Sequence, residues 1–88
     1  MTIVITGATG NVGRPLVQAL VDAGEKVRAV SRQPNQAAMP AGVEVVESAI
    51  AATTGASAVF LNSRALHDDL AAVVDQARRD GVRRLVAL

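Results

Sequence analysis

Three glycines near the start of the chain are the residues best suited to bind a ligand. Gly7, Gly10 and Gly13 lie in the stretch TGATGNVG, after the apolar run Ile3–Ile5 and before a segment with helical periodicity. Backbone amides at such a strand-to-helix turn form a cradle for a phosphate, and the positive end of the helix dipole adds to it. The spacing is related to, but differs from, the G-x-G-x-x-G dinucleotide pattern. We predict a nucleotide-binding turn; the alternative is a turn that uses glycine for backbone reasons alone.

A polar pair ends the second predicted strand, about 20 residues after the turn, as in dinucleotide-binding folds. An Asp or Glu at this point accepts hydrogen bonds from a ribose 2′-hydroxyl, whereas a basic group suits a 2′-phosphate. This chain has Ser31 and Arg32 there and no acid. The guanidinium offers a planar fork to a phosphate, and the serine adds a hydroxyl donor. We predict NADP(H) as cofactor in preference to NAD(H); the alternative is that Arg32 is a solvated loop charge.

Polar residues also follow the fourth predicted strand. Asn62 and Ser63 lie there, beside the expected crevice. They either face the ribose or nicotinamide of a cofactor or cap the next helix, since Asn and Ser are favoured N-caps.

His67 has no evident partner and is expected to be exposed, and the acids at 68 and 69 are expected to be a solvated helix start. No residue is assigned a catalytic role.

The composition excludes several kinds of site. The 88 residues contain no Cys, Tyr or Trp, and Phe60, Lys26 and His67 are single examples of their residue types. A tyrosine acid, a thiolate metal site and a disulfide are therefore excluded, and a histidine metal cluster is not expected.

Charge and hydropathy narrow the classes of partner. The net charge of +1 is dispersed, with no basic stripe and no interleaved aromatic residues, which argues against nucleic acid as a partner. No apolar run approaches the roughly 20 residues that span a bilayer. No signal peptide precedes the first strand-like run, so we expect a cytoplasmic protein without membrane contact.

Short β-branched runs alternate with helical patterns along the chain, which is typical of α/β proteins with a parallel sheet. We predict a three-layer, doubly wound, Rossmann-like sheet with strand order 3-2-1-4-5, and a ligand crevice where the order reverses. The predicted strands are Thr2–Thr6, Lys26–Val30, Val43–Val46, Ala58–Leu61 and Arg84–Leu88. The predicted helices are Asn11–Ala23 and Leu66–Arg79, with a weaker helical turn at Asn35–Met39.

At these residues the sequence resembles a known family. The segment from Met1 to Arg32 is similar to the N-terminus of the NmrA-like, NAD(P)-binding group of atypical short-chain dehydrogenase/reductases. The stretches VEVVE, SAVFLN and DGVRRLVAL resemble the third to fifth strands of that group. The resemblance implies that the three glycines form the turn and that Thr9, Asn11 and Val12 line the pyrophosphate.

The resemblance also implies an activity. It suggests hydride transfer between the nicotinamide and a small acceptor, such as a quinone or a carbonyl compound. The NmrA-like group also contains non-catalytic regulators that sense NADP(H) and convey redox state to a protein partner. An isolated nucleotide-binding fragment is a third reading.

The sequence departs from the family pattern in two places, and both bear on whether it contains the whole cofactor-binding domain and active site of that family. The family follows its third strand with Gly-Asp-Leu and a helix of ten or more residues, but here Glu47–Ile50 leads through AATTGAS into the next strand. The adenine-side Asp of the family has no counterpart, so either one sheet face is thinly covered or residues near 47–57 are missing. The Ser/Tyr-x-x-x-Lys machinery is also absent. We therefore expect residues 1–88 to be a dinucleotide-binding domain without its substrate half and without a complete active site.

Overall fold

Five parallel strands form one sheet in the order β3-β2-β1-β4-β5, which confirms the predicted topology. The computed structural model describes residues 2–32 and 39–87, apart from the side chain of His67. The helical turn predicted at Asn35–Met39 lies, except for its last residue, outside the described residues, as does Leu88. The strands are β1 (Thr2–Ile5), β2 (Lys26–Val30), β3 (Glu44–Val46), β4 (Ala58–Leu61) and β5 (Arg84–Ala87).

Helices cover both faces of this sheet. They are α1 (Gly13–Asp22), α2 (Ala49–Ala52), α3 (Ser63–Leu66) and α4 (Leu70–Arg79), with a 3₁₀ turn at His67–Asp69 between the last two. Side chains alternate between the two faces of a strand. Ile5 accordingly packs with Val17 of α1, while its neighbour Val4 packs with Val73 of α4 on the opposite face. The predicted three-layer arrangement is therefore confirmed.

Several element boundaries differ from the prediction, and the largest differences arise where glycine geometry or a side-chain hydrogen bond decides the start of a helix. Strand β1 ends at Ile5, and α1 begins at Gly13 rather than at residue 11, since the intervening residues form the glycine turn. The helix predicted over 66–79 is wrong in its start and its continuity. The helical segment begins at Ser63, and the 3₁₀ turn at His67–Asp69 interrupts it.

The connection from β3 to β4 contains one helical turn, α2. Parallel crossovers ordinarily need roughly a dozen residues or more; residues 47–57 fall just short of that length and contain only the four helical residues of α2. The Ser48 hydroxyl accepts from the Ala51 amide at 3.2 Å and caps α2. The buried Thr53 hydroxyl donates to Asp80 Oδ2 at 2.6 Å, which ties the end of α2 to the end of α4.

An arginine from β2 supports the same short crossover. Arg28 Nη1 donates to the carbonyl oxygens of Ala52 and, at 2.7 Å, of Thr54, which are left without helical partners at the end of α2. Its Nε donates to Glu44 Oε1 at 2.8 Å, and only 19% of the arginine side chain is exposed. The side chain of Arg28, on β2, therefore supplies hydrogen-bond donors to two carbonyl oxygens at the end of α2.

Within residues 2–32 and 39–87, no helix is long and apolar enough to cross a membrane. In the same part of the chain, no three His, Asp or Glu side chains are grouped so that they could hold a metal ion.

Candidate functional site

The turn between β1 and α1 has a fixed backbone path. Gly7 has a φ of 63°, in the left-handed region that favours glycine. The Gly10 amide donates to the Gly7 carbonyl at 3.0 Å, and the Arg14 amide donates to the Gly10 carbonyl at 3.1 Å. The Ala8 amide donates to the Val30 carbonyl at 3.4 Å, which ties the turn to the end of β2.

The three glycines of the turn have different surroundings. A Cβ atom on Gly13 would overlap the Gly7 carbonyl and lie 2.8 Å from the Ala8 Cα atom. A Cβ atom on Gly7 would lie 2.9 Å from Asn62 Nδ2. On Gly10 it would meet only the Gly7 carbonyl oxygen, at 3.3 Å. Packing therefore requires glycine at position 13, packing and a positive φ favour it at position 7, and Gly10 has one close backbone neighbour.

Three backbone amides on the outer side of the turn have no acceptor in the part of the chain that the structure describes. Within the described residues, the amides of Thr9, Asn11 and Val12 donate no hydrogen bond, and all three residues are exposed. Helix α1 begins without a side-chain cap and has no acidic residue in its first turn. Its N-terminus is therefore open to an anion, since backbone N–H groups and the helix dipole both favour negative charge there.

A buried threonine joins the turn to the end of β4. The Thr6 hydroxyl donates to the Phe60 carbonyl at 2.7 Å and accepts from the Asn62 amide at 2.8 Å. Asn62 Oδ1 in turn accepts from the amides of Arg64 at 3.1 Å and Ala65 at 3.3 Å. Asn62 thus caps α3, which is the second of the two roles predicted for it. Its side-chain amide nitrogen also lies beside Gly7. Thr6 is not among the predicted site residues, although it is the first residue of the glycine motif.

A cleft of about 610 Å³ opens at the carboxyl ends of β1, β2 and β4. Four predicted site residues line it: Gly7, Thr9, Ser31 and Arg32. The other five form the adjoining turn and wall: Gly10, Asn11, Val12, Gly13 and Asn62. The remaining described lining residues are Thr6, Val30, Glu47, Ser48, Ala49, Ile50, Arg64, Ala65, Leu66 and Asp69. The turn and the end of β2 therefore share one cleft, at the reversal of strand order.

The end of β2 reaches across this cleft. Ser31 is buried, and its amide donates to the Val46 carbonyl at 2.9 Å, so β3 fixes its backbone. Arg32 is exposed, and its Nη2 donates to the Ala65 carbonyl of α3 at 3.3 Å. The guanidinium therefore lies inside the cleft mouth and contacts the β4 side of the site.

Charged residues from three other segments line the same cleft. They are Glu47 after β3, Arg64 on α3 and Asp69 before α4. Glu47 and Arg64 are not among the predicted site residues, and Asp69 is predicted to belong to a solvated helix start. The position of Glu47 at the carboxyl end of β3 is a signal that could have identified it, because ligands of such folds bind at that edge.

Comparison with known proteins places the chain among nucleotide-binding folds. The (4-alkanoyl-5-oxo-2,5-dihydrofuran-3-yl)methyl phosphate reductase of Streptomyces griseus is 42% identical over 96 residues, covering 98% of this chain and 33% of the relative. A short-chain dehydrogenase/reductase from Veillonella parvula has a TM-score of 0.80 at 24% identity, covering 98% of this chain and 45% of that one. A short-chain dehydrogenase/reductase superfamily protein from Agrobacterium tumefaciens, with bound NAD, has a TM-score of 0.73 at 32% identity, covering 99% and 32%.

These matches also bear on the length of the chain. It spans about a third of the Streptomyces relative and less than half of either structure. The alignment with the Streptomyces relative runs over 96 positions, whereas this chain has 88 residues. The relative therefore contains residues in the aligned region that have no counterpart here. Residues 7–88 match the protein family described as NAD(P)H-binding. With the glycine turn, the cleft and the sheet order already described, the chain belongs to the NAD(P)H-binding family of Rossmann-fold proteins.

Proposed function

We propose that this chain is the NADP(H)-binding domain of an NmrA-like oxidoreductase, which transfers hydride between the nicotinamide and a small acceptor such as a quinone or carbonyl compound. One observation carries the proposal: the glycine turn, whose outer amides find no acceptor among the described residues, adjoins the same cleft as Arg32 at the end of β2. When bound, the cofactor supplies the hydride chemistry, and the protein binds and orients it.

The glycine turn is proposed to hold the diphosphate. The amides of Thr9, Asn11 and Val12 have no acceptor among the described residues, and the open N-terminus of α1 adds positive potential. Gly10 leaves room for close approach, because little lies beside it. Asn62, which caps α3, is proposed to present its amide group toward the ribose.

The preference for NADP(H) rests on the end of β2. Arg32 extends into the cleft mouth, and within residues 2–32 and 39–87 its side chain makes one hydrogen bond, of 3.3 Å to a carbonyl oxygen. A phosphate is a stronger acceptor for a guanidinium than a carbonyl, because both partners are charged. Neither Ser31 nor Arg32 is an acid that would accept from a ribose 2′-hydroxyl, as NAD(H) binding ordinarily requires.

The oxidoreductase assignment rests on resemblance. The Streptomyces griseus relative is named as a reductase, and the Agrobacterium tumefaciens protein carries bound NAD. The chain spans about a third of each, so the substrate-binding residues are proposed to lie in a further part of a longer protein.

The proposal is tested by binding and turnover. The full chain is titrated with NADPH and NADH, alongside Arg32→Ala and the matched control Arg79→Ala on α4. We expect Arg32→Ala to weaken NADPH binding about tenfold, the loss of one charge-assisted contact, with NADH binding and the control little changed. An unchanged NADPH/NADH affinity ratio in Arg32→Ala would overturn the cofactor preference.

Turnover is measured on the full-length protein. NADPH oxidation is followed with quinones and carbonyl compounds as acceptors, and we expect oxidation with at least one of these classes. Tight NADPH binding without turnover on either class would contradict the oxidoreductase assignment and point to a sensor of the cofactor.

A further inference from the structure

We propose that Arg64 binds the cofactor's 2′-phosphate together with Arg32. The inference rests on the function proposed above, and it deepens that function by adding a specificity-determining residue from a different part of the chain. Arg64 lies on α3, after β4, whereas Arg32 follows β2 on the other side of β1. Both residues line the same cleft.

The backbone of Arg64 is held in position. Asn62 Oδ1 accepts from the Arg64 amide at 3.1 Å, and the Asn62 amide is itself held by the Thr6 hydroxyl at 2.8 Å. The base of the arginine is therefore anchored to the end of β1. Its side chain is exposed, and within the described residues it makes no ion pair or hydrogen bond.

The guanidinium of Arg32 lies against the helix that carries Arg64. Arg32 Nη2 donates to the carbonyl oxygen of Ala65, the residue that follows Arg64. The guanidinium that we assign to the 2′-phosphate therefore contacts the residue next to Arg64 in the chain. A phosphate that replaces the Ala65 carbonyl as the acceptor of Arg32 comes within reach of the long, flexible Arg64 side chain.

The charge balance of the cleft supports a need for both arginines. The described ionisable side chains that line it are Arg32, Arg64, Glu47 and Asp69, with a formal sum of zero. Without Arg64 the sum is negative, and the cleft would repel a phosphate monoester, which carries roughly 1.5 to 2 negative charges near neutral pH. Arg32 alone therefore does not offset the two carboxylates, whereas the pair of arginines does.

The test separates the 2′-phosphate from the rest of the nucleotide. Adenosine 2′,5′-bisphosphate and adenosine 5′-monophosphate, which differ only in the 2′-phosphate, are titrated into the full chain and into Arg64→Ala, Arg64→Lys and Arg78→Ala. Arg78→Ala removes the same charge from the last turn of α4 and is the matched control. Thermal unfolding followed by circular dichroism establishes that each variant is folded.

We expect Arg64→Ala to weaken binding of the bisphosphate about tenfold and of the monophosphate less than twofold, with Arg64→Lys between Arg64→Ala and wild type. An equal loss for both ligands, or no loss for either, would overturn the inference. The two proposals fail in different ways. If wild type does not prefer the bisphosphate, the NADP(H) assignment itself is wrong; if Arg32→Ala removes that preference and Arg64→Ala retains it, only the role of Arg64 is wrong.

Discussion

The backbone carbonyl of Gly7 packs directly against Gly13, so that a Cβ atom on residue 13 would overlap the carbonyl oxygen and lie 2.8 Å from the Ala8 Cα atom. This contact brings the first turn of α1 against the end of β1. Both atoms that would be struck belong to the backbone, so no side-chain rotation can relieve the overlap.

Gly13→Ala is therefore expected to destabilise the protein strongly. Overpacking of a tight interior contact typically costs about 1–3 kcal/mol, and a rigid backbone neighbour places this substitution at or above the upper end. Urea unfolding followed by circular dichroism measures the change in free energy. A loss below about 0.5 kcal/mol would mean that α1 can move away from the turn without cost.

Gly10→Ala is expected to separate binding from folding. Its Cβ atom would meet only the Gly7 carbonyl, at 3.3 Å, so the loss in stability should stay below about 1 kcal/mol. The same methyl group would stand where we propose that the diphosphate approaches the turn. NADPH titration should show at least about tenfold weaker binding, the equivalent of roughly 1.4 kcal/mol; undiminished affinity in the folded variant would contradict the diphosphate assignment.

Thr6→Val tests the link between β1 and β4. The substitution keeps the shape of the side chain but removes a fully buried hydroxyl that serves both the Phe60 carbonyl and the Asn62 amide. Leaving the Asn62 donor without its acceptor is expected to cost about 1–3 kcal/mol. Thermal or urea unfolding measures the loss, and Thr6→Ser, which retains the hydroxyl, should recover most of it.

Arg28→Ala tests the support of the short crossover. It removes the donors to the Ala52 and Thr54 carbonyls and the ion pair with Glu44. We expect a loss of about 2–3 kcal/mol, since the arginine is mostly buried and its acceptors lose their partner. Arg79→Ala breaks an exposed pair with Asp75 and should change stability by less than about 0.5 kcal/mol. Equal effects of the two substitutions would contradict this role.

Glu47→Gln tests the charge balance of the cleft. Removing one carboxylate near the proposed phosphate site should raise NADPH affinity by about twofold to fivefold, the size expected for an exposed charge interaction of up to about 1 kcal/mol. NADH affinity should rise less, because it lacks the 2′-phosphate. The NADPH gain should shrink as salt is raised, since screening weakens exposed charge interactions. A gain that is independent of salt would indicate a steric cause instead.

The sequence predicted the sheet well because its strands are local, β-branched runs that need no distant information to be recognised. The order 3-2-1-4-5 followed from general rules of crossover handedness. The helix over residues 66–79 was misplaced because its start depends on Asn62, whose capping role competes with a ligand-binding role in the sequence alone. Helix α2 was missed because a single turn leaves too short a periodic pattern.

The sequence by itself determined the glycine turn and the arginine that follows β2, because each depends on a few residues adjacent in the chain. Only the tertiary structure decided that Arg64, Glu47 and Asp69 share a cleft with Arg32. These residues come from segments after three different strands, and they meet because the sheet order brings the carboxyl ends of those strands to one edge. No local pattern carries that information, since proximity between distant segments is a property of the assembled sheet.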